Sequence, residues 1–255
     1  MTAFSANLGF LWADLPLADA IRAAHAAGFD AVECHWPYDN DPAGVRDALI
    51  ETGLPMLGIN TVRGDTGAGE NGLSALPGRE SEARAAIDQA LDYAQYIGAG
   101  AVHVMAGFSS GPEAGKSFAA NLSYACERAA PHDITILIEP LNAYDAPGYF
   151  LNSTAQAQSI IEHLGAGNLK LMFDCYHVQL TEGDLTNRLT RLLPLIGHIQ
   201  FASVPDRGTP DHGEVSYAHV FDHLKSLGYT DPLGAEYRPA RPTSETLAWM
   251  ARFPG

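Results

Sequence analysis

The feature that most restricts the fold of this chain is a regular alternation of strand-like and helix-like segments. Amphipathic stretches such as LADAIRAAHAAG, SEARAAIDQALDYAQYIGAG and YAHVFDHLKSLG separate short apolar runs rich in β-branched residues. The eight predicted strands span residues 4–10, 30–36, 56–61, 100–106, 134–139, 169–176, 196–202 and 233–238. Strands that alternate with helices predict a parallel sheet, and eight such units fit a closed barrel better than a doubly wound sheet with a second domain. We therefore predict an α/β fold in which residues 1–255 form one (β/α)8 TIM barrel domain.

Local signals support the helices of this pattern. Each of the three amphipathic stretches closes on a glycine, the residue that most readily adopts the left-handed conformation after a helix. DPAGVRDAL places Asp41 as an N-cap directly before Pro42, which suits the first helical position. No shift in composition marks a linker, and barrels of this type commonly have about 250 residues.

Composition argues against several classes of partner. Lys and Arg number 15 against 30 Asp and Glu, and the resulting charge of -15 would repel nucleic acid and anionic membranes. No apolar run approaches the roughly 18 residues of a membrane span, and the N-terminus lacks a basic leader, so a cytoplasmic protein is expected. Cys34, Cys126 and Cys175 show no CxxC spacing, which predicts reduced and mostly buried thiols.

Polar side chains fall near the carboxyl ends of four consecutive predicted strands. They are Glu139, Asp174, Gln200 and Glu236, on the fifth to eighth strands in that order. Functional residues of such barrels lie at these strand ends, so the four side chains should converge at the barrel mouth. Clustered carboxylates are costly unless a cation neutralises them, and an all-oxygen set suits Mg²⁺ or Mn²⁺ better than zinc. The sequence therefore predicts a divalent metal site.

A glycine-rich segment, RGDTGAGENGLSALPGRE at residues 63–80, follows the third strand. It lies at the end of the barrel where loops carry function, so it is a candidate lid; the alternative is a surface loop without a role. Because few apolar residues anchor it, we expect it to be mobile without ligand and to cover the mouth when ligand binds.

Several motifs resemble the hydroxypyruvate isomerase family, within the larger xylose-isomerase-like group of TIM barrels. The resemblance rests on IEPLN, FDCYHVQLTEGDLT, GHIQFASVPDRGTPDHGE and GAEYRP, and FSANLGFLW, VECHWPYD and GENGLSALPGRE extend it to the N-terminal half. It implies that Glu139, Asp174, Gln200 and Glu236 hold the metal. It also implies that Glu139 and Glu236 form an acid/base pair and that His177 faces the substrate. Gln200 favours the isomerase branch, because related keto-sugar epimerases usually have histidine at that place.

Three departures from the family pattern concern the substrate pocket. Ser203 stands where the family usually has aspartate, and PDHGE at residues 210–214 replaces a Pro-Gly-Thr-Gly-Glu run. Ile59 precedes Asn60 where the family commonly has His-Asn, although Asn60 remains a predicted substrate-binding residue. The departures leave the exact substrate open more than the type of reaction.

The implied reaction interconverts hydroxypyruvate and tartronate semialdehyde, or a closely related short oxo-acid or ketose pair. A proton leaves the hydroxyl-bearing carbon, a cis-enediolate forms, and a proton returns to the neighbouring carbon. A carboxylate substrate also needs a cationic partner. Arg238, in phase with Glu236, and Arg207, in the loop after the seventh strand, are the first candidates, ahead of Lys116 and Arg63.

Other functions fit parts of the pattern. A keto-sugar or oxo-acid epimerase would use the same glutamates on opposite faces of one carbon. A non-catalytic barrel would bind a small molecule without turnover, and a metal-dependent endonuclease would need a basic face that a charge of -15 does not favour. The preferred metal and the oligomeric state are not readable from the sequence, which is compatible with a homo-oligomer.

Overall fold

The protein forms a barrel of parallel strands in a computed structural model that describes residues 2–253. The strands are β1 Phe4–Asn7, β2 Ala31–Glu33, β3 Ile59–Asn60, β4 Ala101–His103, β5 Thr135–Ile138, β6 Leu169–Asp174, β7 Ile196–Phe201 and β8 Leu233–Ala235. Their order in the sheet is β2-β1-β8-β7-β6-β5-β4-β3, and every pair in it is parallel. The eight-stranded parallel sheet predicted from the alternating pattern is thereby confirmed.

The two ends of the sheet meet and bring the barrel close to full closure. Val32 on β2 forms a parallel bridge with Met56, just before β3. The backbone N–H of Val32 donates to the carbonyl of Pro55 at 3.0 Å, and that of Cys34 donates to Gly58 at 3.1 Å. These bonds satisfy edge groups that an open sheet would expose.

Helices lie between the strands and cover the outside of the barrel. They are α1 Leu17–Ala26, α2 Pro42–Thr52, α3 Glu80–Ile97, α4 Gly111–Ala129, α5 Thr154–Leu164, α6 Cys175–Thr181, α7 Leu185–Leu192 and α8 Tyr217–Ser226. In α3 the buried residues Ala83, Ala86, Ile87, Ala90 and Leu91 recur at the spacing of a helical face. Burial of such apolar faces against the strands holds the helices in place.

The predicted helix ends are confirmed where the sequence marked them. Gly28, Gly98 and Gly228 have φ values of 87°, 78° and 80°, in the left-handed region that glycine adopts without steric cost. Asp41 caps α2 by accepting a hydrogen bond from the backbone N–H of Ala43. These local interactions fix where the helices begin and end.

Two further predictions concern the chain's environment. Cys34, Cys126 and Cys175 are free and buried, as expected. Within residues 2–253, no helix is both long and apolar enough to cross a bilayer.

Candidate active site

The four polar residues predicted at the strand ends lie where the barrel topology brings strands together. Glu139 directly follows β5, Asp174 is the last residue of β6, Gln200 lies in β7, and Glu236 directly follows β8. Asp174 and Gln200 are register partners across β6 and β7. All four side chains are buried, so their charges and hydrogen bonds act in a medium that screens poorly.

Glu139, Asp174 and His177 form one side of this cluster. Each offers an atom that lies within 4.8 Å of the other two, so the group could hold a metal ion. His177 Nδ1, however, accepts a hydrogen bond from the backbone N–H of Asn142 at 3.1 Å. Burial, with the charge of Arg207, lowers the pKa of His177 to about 3, so the ring is neutral. Its proton is then on Nε2, which makes His177 a donor towards the two carboxylates and not a ligand.

Glu236 occupies the other side and has partners on both oxygens. Its Oε1 accepts from Asn7 Nδ2 at 2.9 Å and from Gln200 Nε2 at 3.4 Å, and His35 Nε2 lies 2.9 Å from it. Its Oε2 is paired with the guanidinium of Arg207. Arg207 Nη2 also lies 3.5 Å from Asp174 Oδ2. Arg207, buried in the site, therefore supplies internal positive charge to two of the four predicted ligands.

The pKa values of the carboxylates are displaced in opposite directions. Burial, followed by the charges of Glu236 and Asp174, raises the pKa of Glu139 well above its usual range. Burial and the charge of Glu236 raise the pKa of Asp174 to about 7, although Arg207 opposes this. Burial alone would raise the pKa of Glu236 too, but Arg207 and the hydrogen bond of His35 outweigh it and hold that pKa below its usual range. Two glutamates in one site thus differ in their readiness to carry a proton.

Three oxygens of the cluster show that these residues fit a divalent cation. Within residues 2–253, Glu139 Oε1, Asp174 Oδ2 and Gln200 Oε1 are buried and have no hydrogen-bond partner. A buried acceptor without a partner costs about 1–3 kcal/mol, and more for a charged group. Hard cations such as Mg²⁺ and Mn²⁺ take carboxylate and amide oxygens as ligands. A cation bound by these oxygens would remove this cost.

A cavity of about 500 Å³ opens above the cluster. The predicted residues that line it are Glu139, Glu236, His177, Arg207, Arg238 and Asn60. Asp174 and Gln200 are not among its lining residues. The cavity is large enough for a small organic acid, and the two glutamates proposed for proton transfer face it directly.

The structure changes the ranking of the cations that could bind a carboxylate. Arg207, ranked among the first from the sequence, is already engaged by Glu236 and Asp174. Lys116, on α4, is an exposed residue that pairs with Glu113 at 2.7 Å. Arg63 instead lines the cavity, with its guanidinium 4.1 Å from the centroid of the Trp36 ring. Arg63 and Arg238 are therefore the stronger candidates.

Four further polar residues of the site were not singled out from the sequence. His35 and His103 line the cavity, and His103 Nδ1 lies 3.7 Å from Glu139 Oε2. Glu33 and His198 are buried and pair with each other. Glu33 and His103 are the last residues of β2 and β4. Glu33 and His103 share with Glu139 the feature that pointed to it, a polar side chain at the end of a strand.

The glycine-rich segment at residues 63–80 divides into two parts. The expectation that it has few apolar anchors is wrong for its second half, because Leu73 packs on Ala83 and Ala86 of α3. The backbone N–H of Ala75 also donates to Ala106 at 2.7 Å. Thr66, Gly69, Glu70 and Asn71 in the first half line the cavity. Only residues 64–71 therefore remain candidates for a movable lid.

We expect ligand binding to protect this first half from proteolysis. A glutamate-specific protease should cleave after Glu70 in the free protein, and saturation with a short oxo-acid analogue should slow that cleavage because the segment closes over the cavity. Mass spectrometry of the fragments measures the rate, and cleavage at sites remote from the cavity serves as the control. Equal rates of cleavage after Glu70 with and without analogue would contradict a lid.

The barrel, with a buried acidic cluster at its strand ends, has the architecture of a TIM-barrel enzyme. Comparisons with known proteins identify the family. A family model described as xylose isomerase-like TIM barrel matches residues 21–253. The 2-oxo-tetronate isomerase of Cupriavidus necator is 43% identical over 100% of both chains. The hydroxypyruvate isomerase of Escherichia coli is 37% identical, over 98% of this chain and 98% of its own. The chain belongs to the hydroxypyruvate isomerase family of xylose isomerase-like TIM barrels, and it is an isomerase.

A solved structure supports the same family at the level of the fold. A protein from Brucella melitensis, described as an AP endonuclease of family 2, superposes with a TM-score of 0.95 and is 38% identical over 99% of both chains. The resemblance drawn from the sequence motifs is thus confirmed along almost the whole chain.

Proposed function

We propose that the protein is a metal-dependent isomerase that interconverts hydroxypyruvate and tartronate semialdehyde. The alternative substrate is a closely related short oxo acid, such as 2-oxo-tetronate, which would be converted to its isomeric carbonyl compound. One observation carries the proposal. Buried oxygens of Glu139, Asp174 and Gln200, at the ends of three consecutive strands, have no hydrogen-bond partner in residues 2–253, and Glu139 lines a cavity sized for a small acid. The isomerases of Cupriavidus necator and Escherichia coli, similar over the full chain, support the reaction class.

Glu139, Asp174, Gln200 and Glu236 would hold Mg²⁺ or Mn²⁺. Such an ion polarises a substrate carbonyl and stabilises negative charge that develops on its oxygen. Glu236 differs from the other three because Arg207 engages its Oε2. For Glu236 to become a ligand, Arg207 must withdraw from that oxygen. The released guanidinium would then face the cavity that it already lines, which is consistent with a role in substrate binding.

The unequal environments of the two glutamates support different roles in proton transfer. Glu236 Oε1 accepts from Asn7 Nδ2 and lies 2.9 Å from His35 Nε2. These contacts favour the ionised form and do not depend on Arg207, so we assign Glu236 as the base that removes the proton from the hydroxyl-bearing carbon. In the metal-free site burial raises the pKa of Glu139, so Glu139 takes up a proton more readily than Glu236, which suits the group that returns a proton to the neighbouring carbon. Both face the cavity, so each can reach a bound substrate without a relay.

His177 orients the substrate in this scheme. Because its Nδ1 accepts from Asn142, its Nε2–H points towards Glu139 and Asp174, at 3.9 Å and 3.6 Å. A substrate hydroxyl or carbonyl oxygen near these carboxylates can accept that hydrogen bond. Asn60 lines the same cavity and offers an amide to the remaining polar groups of the substrate.

The carboxylate of the substrate would bind Arg63 or Arg238. Within residues 2–253 neither has an ion-pair partner, and both line the cavity. Arg63 stacks on Trp36, and Trp36 in turn donates its indole N–H to the carbonyl of Thr61 at 3.1 Å. A guanidinium that is held in place by an aromatic ring loses less freedom when it binds an anion.

Loss of the guanidinium that binds the substrate carboxylate should weaken substrate binding more than it lowers turnover. We expect Arg63→Gln, Arg238→Gln or both to raise KM for an oxo-acid substrate by about tenfold or more, the scale of one charge-assisted hydrogen bond. The value of kcat should change less. Lys116→Gln makes the same change of charge at an exposed site on α4 and serves as the control. A KM equal to that control in both arginine variants would place the carboxylate elsewhere.

The proposed reaction is tested by NMR with short oxo acids and ketoses in D₂O, with Mg²⁺ or Mn²⁺ added. Deuterium uptake at the hydroxyl-bearing carbon, with conversion to the isomeric carbonyl compound, supports the proposal. Exchange with inversion at one carbon would instead identify an epimerase. Binding of these compounds without exchange would identify a non-catalytic barrel.

A further inference from the structure

Glu33 is a buried carboxylate beneath the site that neither proton transfer nor substrate binding requires. It ends β2, and its side chain lies in the barrel interior. Its Oε1 accepts from Gln200 Nε2 at 3.1 Å and from Asn7 Nδ2 at 3.2 Å. Its Oε2 pairs with the imidazole of His198.

The chemistry of a carboxylate decides how the Gln200 amide is turned. An ionised carboxylate only accepts hydrogen bonds, whereas a primary amide donates through nitrogen and accepts through oxygen. Glu33 Oε1 and Glu236 Oε1 therefore both accept hydrogen bonds from Gln200 Nε2, at 3.1 Å and 3.4 Å. The opposite end of the amide, Oε1, is left as the buried oxygen without a partner in the described residues.

We infer that Glu33 is a positioning residue that fixes the Gln200 amide so that its oxygen, and not its nitrogen, is presented as a metal ligand. The inference rests on the proposed function, since it assigns Glu33 a role only if Gln200 ligates a cation. An amide nitrogen carries no free lone pair for a cation, so an inverted amide would remove one ligand and place two N–H groups in its position.

Neighbouring residues on β7 and β8 favour the hydrogen bond between Glu33 and Gln200. His198 precedes Gln200 by two residues on β7, so both side chains point to the inner face, and His198 holds the second oxygen of Glu33. Gly234 on β8 leaves the necessary room. A Cβ atom there would lie 2.6 Å from Glu33 Oε1 and 2.9 Å from Gln200 Cγ.

The substitution Glu33→Gln tests the inference with little change in shape. A glutamine at this position carries its own N–H donors, so it can bond to either end of the Gln200 amide, and only the longer 3.4 Å contact with Glu236 would still favour one orientation. We expect the Kd for Mn²⁺, measured by electron paramagnetic resonance on the metal-stripped full chain, to rise about 10- to 100-fold. The Tm of the metal-free protein should fall only modestly, because the amide oxygen can still accept a hydrogen bond from His198 although the charge of that buried pair is lost.

Three comparisons make the result decisive. Glu162→Gln, the same change at an exposed position on α5, should leave the Kd at its wild-type value. Gly234→Ala should also weaken Mn²⁺ binding, because the added methyl group would displace Glu33, Gln200 and His198 together. A wild-type Kd in Glu33→Gln, while Asp174→Ala has lost binding, would overturn the inference and leave the proposed function intact.

Two other outcomes would also overturn it. If weaker binding in Glu33→Gln is accompanied by a large fall in the Tm of the metal-free protein, Glu33 acts on the stability of the barrel and not on the ligand set. If wild-type protein does not bind Mn²⁺ at all, the proposed metal site fails and the role of Glu33 fails with it.

Discussion

Glutamine in place of Glu139 or Glu236 is expected to lower kcat by about 10²-fold or more, the usual scale for the loss of a general acid or base. The amide keeps an oxygen that can still coordinate a cation, as proposed for Gln200, but it cannot act as a general acid or base at neutral pH. Metal binding should therefore survive better than catalysis. Steady-state kinetics at saturating Mg²⁺ or Mn²⁺, together with a direct measurement of metal affinity, separate the two effects.

Solvent exchange should then distinguish the two glutamates. Glu236→Gln is expected to abolish deuterium uptake at the substrate carbon, because Glu236, whose Oε1 contacts Asn7 and His35, is assigned as the base. Glu139→Gln should retain some exchange without completing the isomerisation. Near wild-type turnover and normal metal binding in both variants would contradict the paired-glutamate mechanism. The proton transfer would then have to be sought at His177 or at a water molecule.

Removal of divalent metal is expected to abolish activity, and added Mg²⁺ or Mn²⁺ should restore it. Asp174→Ala should lose the metal, because Asp174 Oδ2 is one of the buried oxygens without a hydrogen-bond partner in residues 2–253. Metal content after dialysis and activity after chelation measure these effects. Full turnover by metal-free protein would contradict the metal-dependent mechanism.

Asp174→Asn is the matched variant for this experiment. Asp174 Oδ1 also caps α6 by accepting from the backbone N–H of Tyr176 at 2.9 Å, so alanine removes a cap as well as a ligand. Loss of a cap costs about 1 kcal/mol of stability. Asparagine keeps a capping oxygen but lacks the charge, so it should weaken metal binding while it preserves the helix end. A low metal affinity in both variants assigns the effect to the ligand and not to the cap.

The sequence predicted the loop at residues 63–80 less well than the barrel, for a physical reason. Glycines and polar residues suggested a segment without anchors, but Leu73 and Ala75 are buried against α3 and the end of β4. Whether one leucine anchors a loop depends on what lies opposite it, which local composition does not show.

The predicted strands were also longer than those observed, as with residues 56–61 against Ile59–Asn60. Apolar runs continue past the last residue that finds a partner strand.

The barrel and four residues of the candidate site were predictable from the sequence because their signals are local. Strand and helix periods are set by neighbouring residues, and Glu139, Asp174, Gln200 and Glu236 were found because parallel strands place their carboxyl ends at one edge. The exact partners of these side chains were decided only by the tertiary structure. Gln200 meets Glu33 across 167 residues of sequence and Glu236 meets Asn7 across 229. Which oxygen stays without a partner, and which arginine is already engaged, depends on such contacts, because hydrogen bonds are made over about 3 Å in space whatever the separation along the chain.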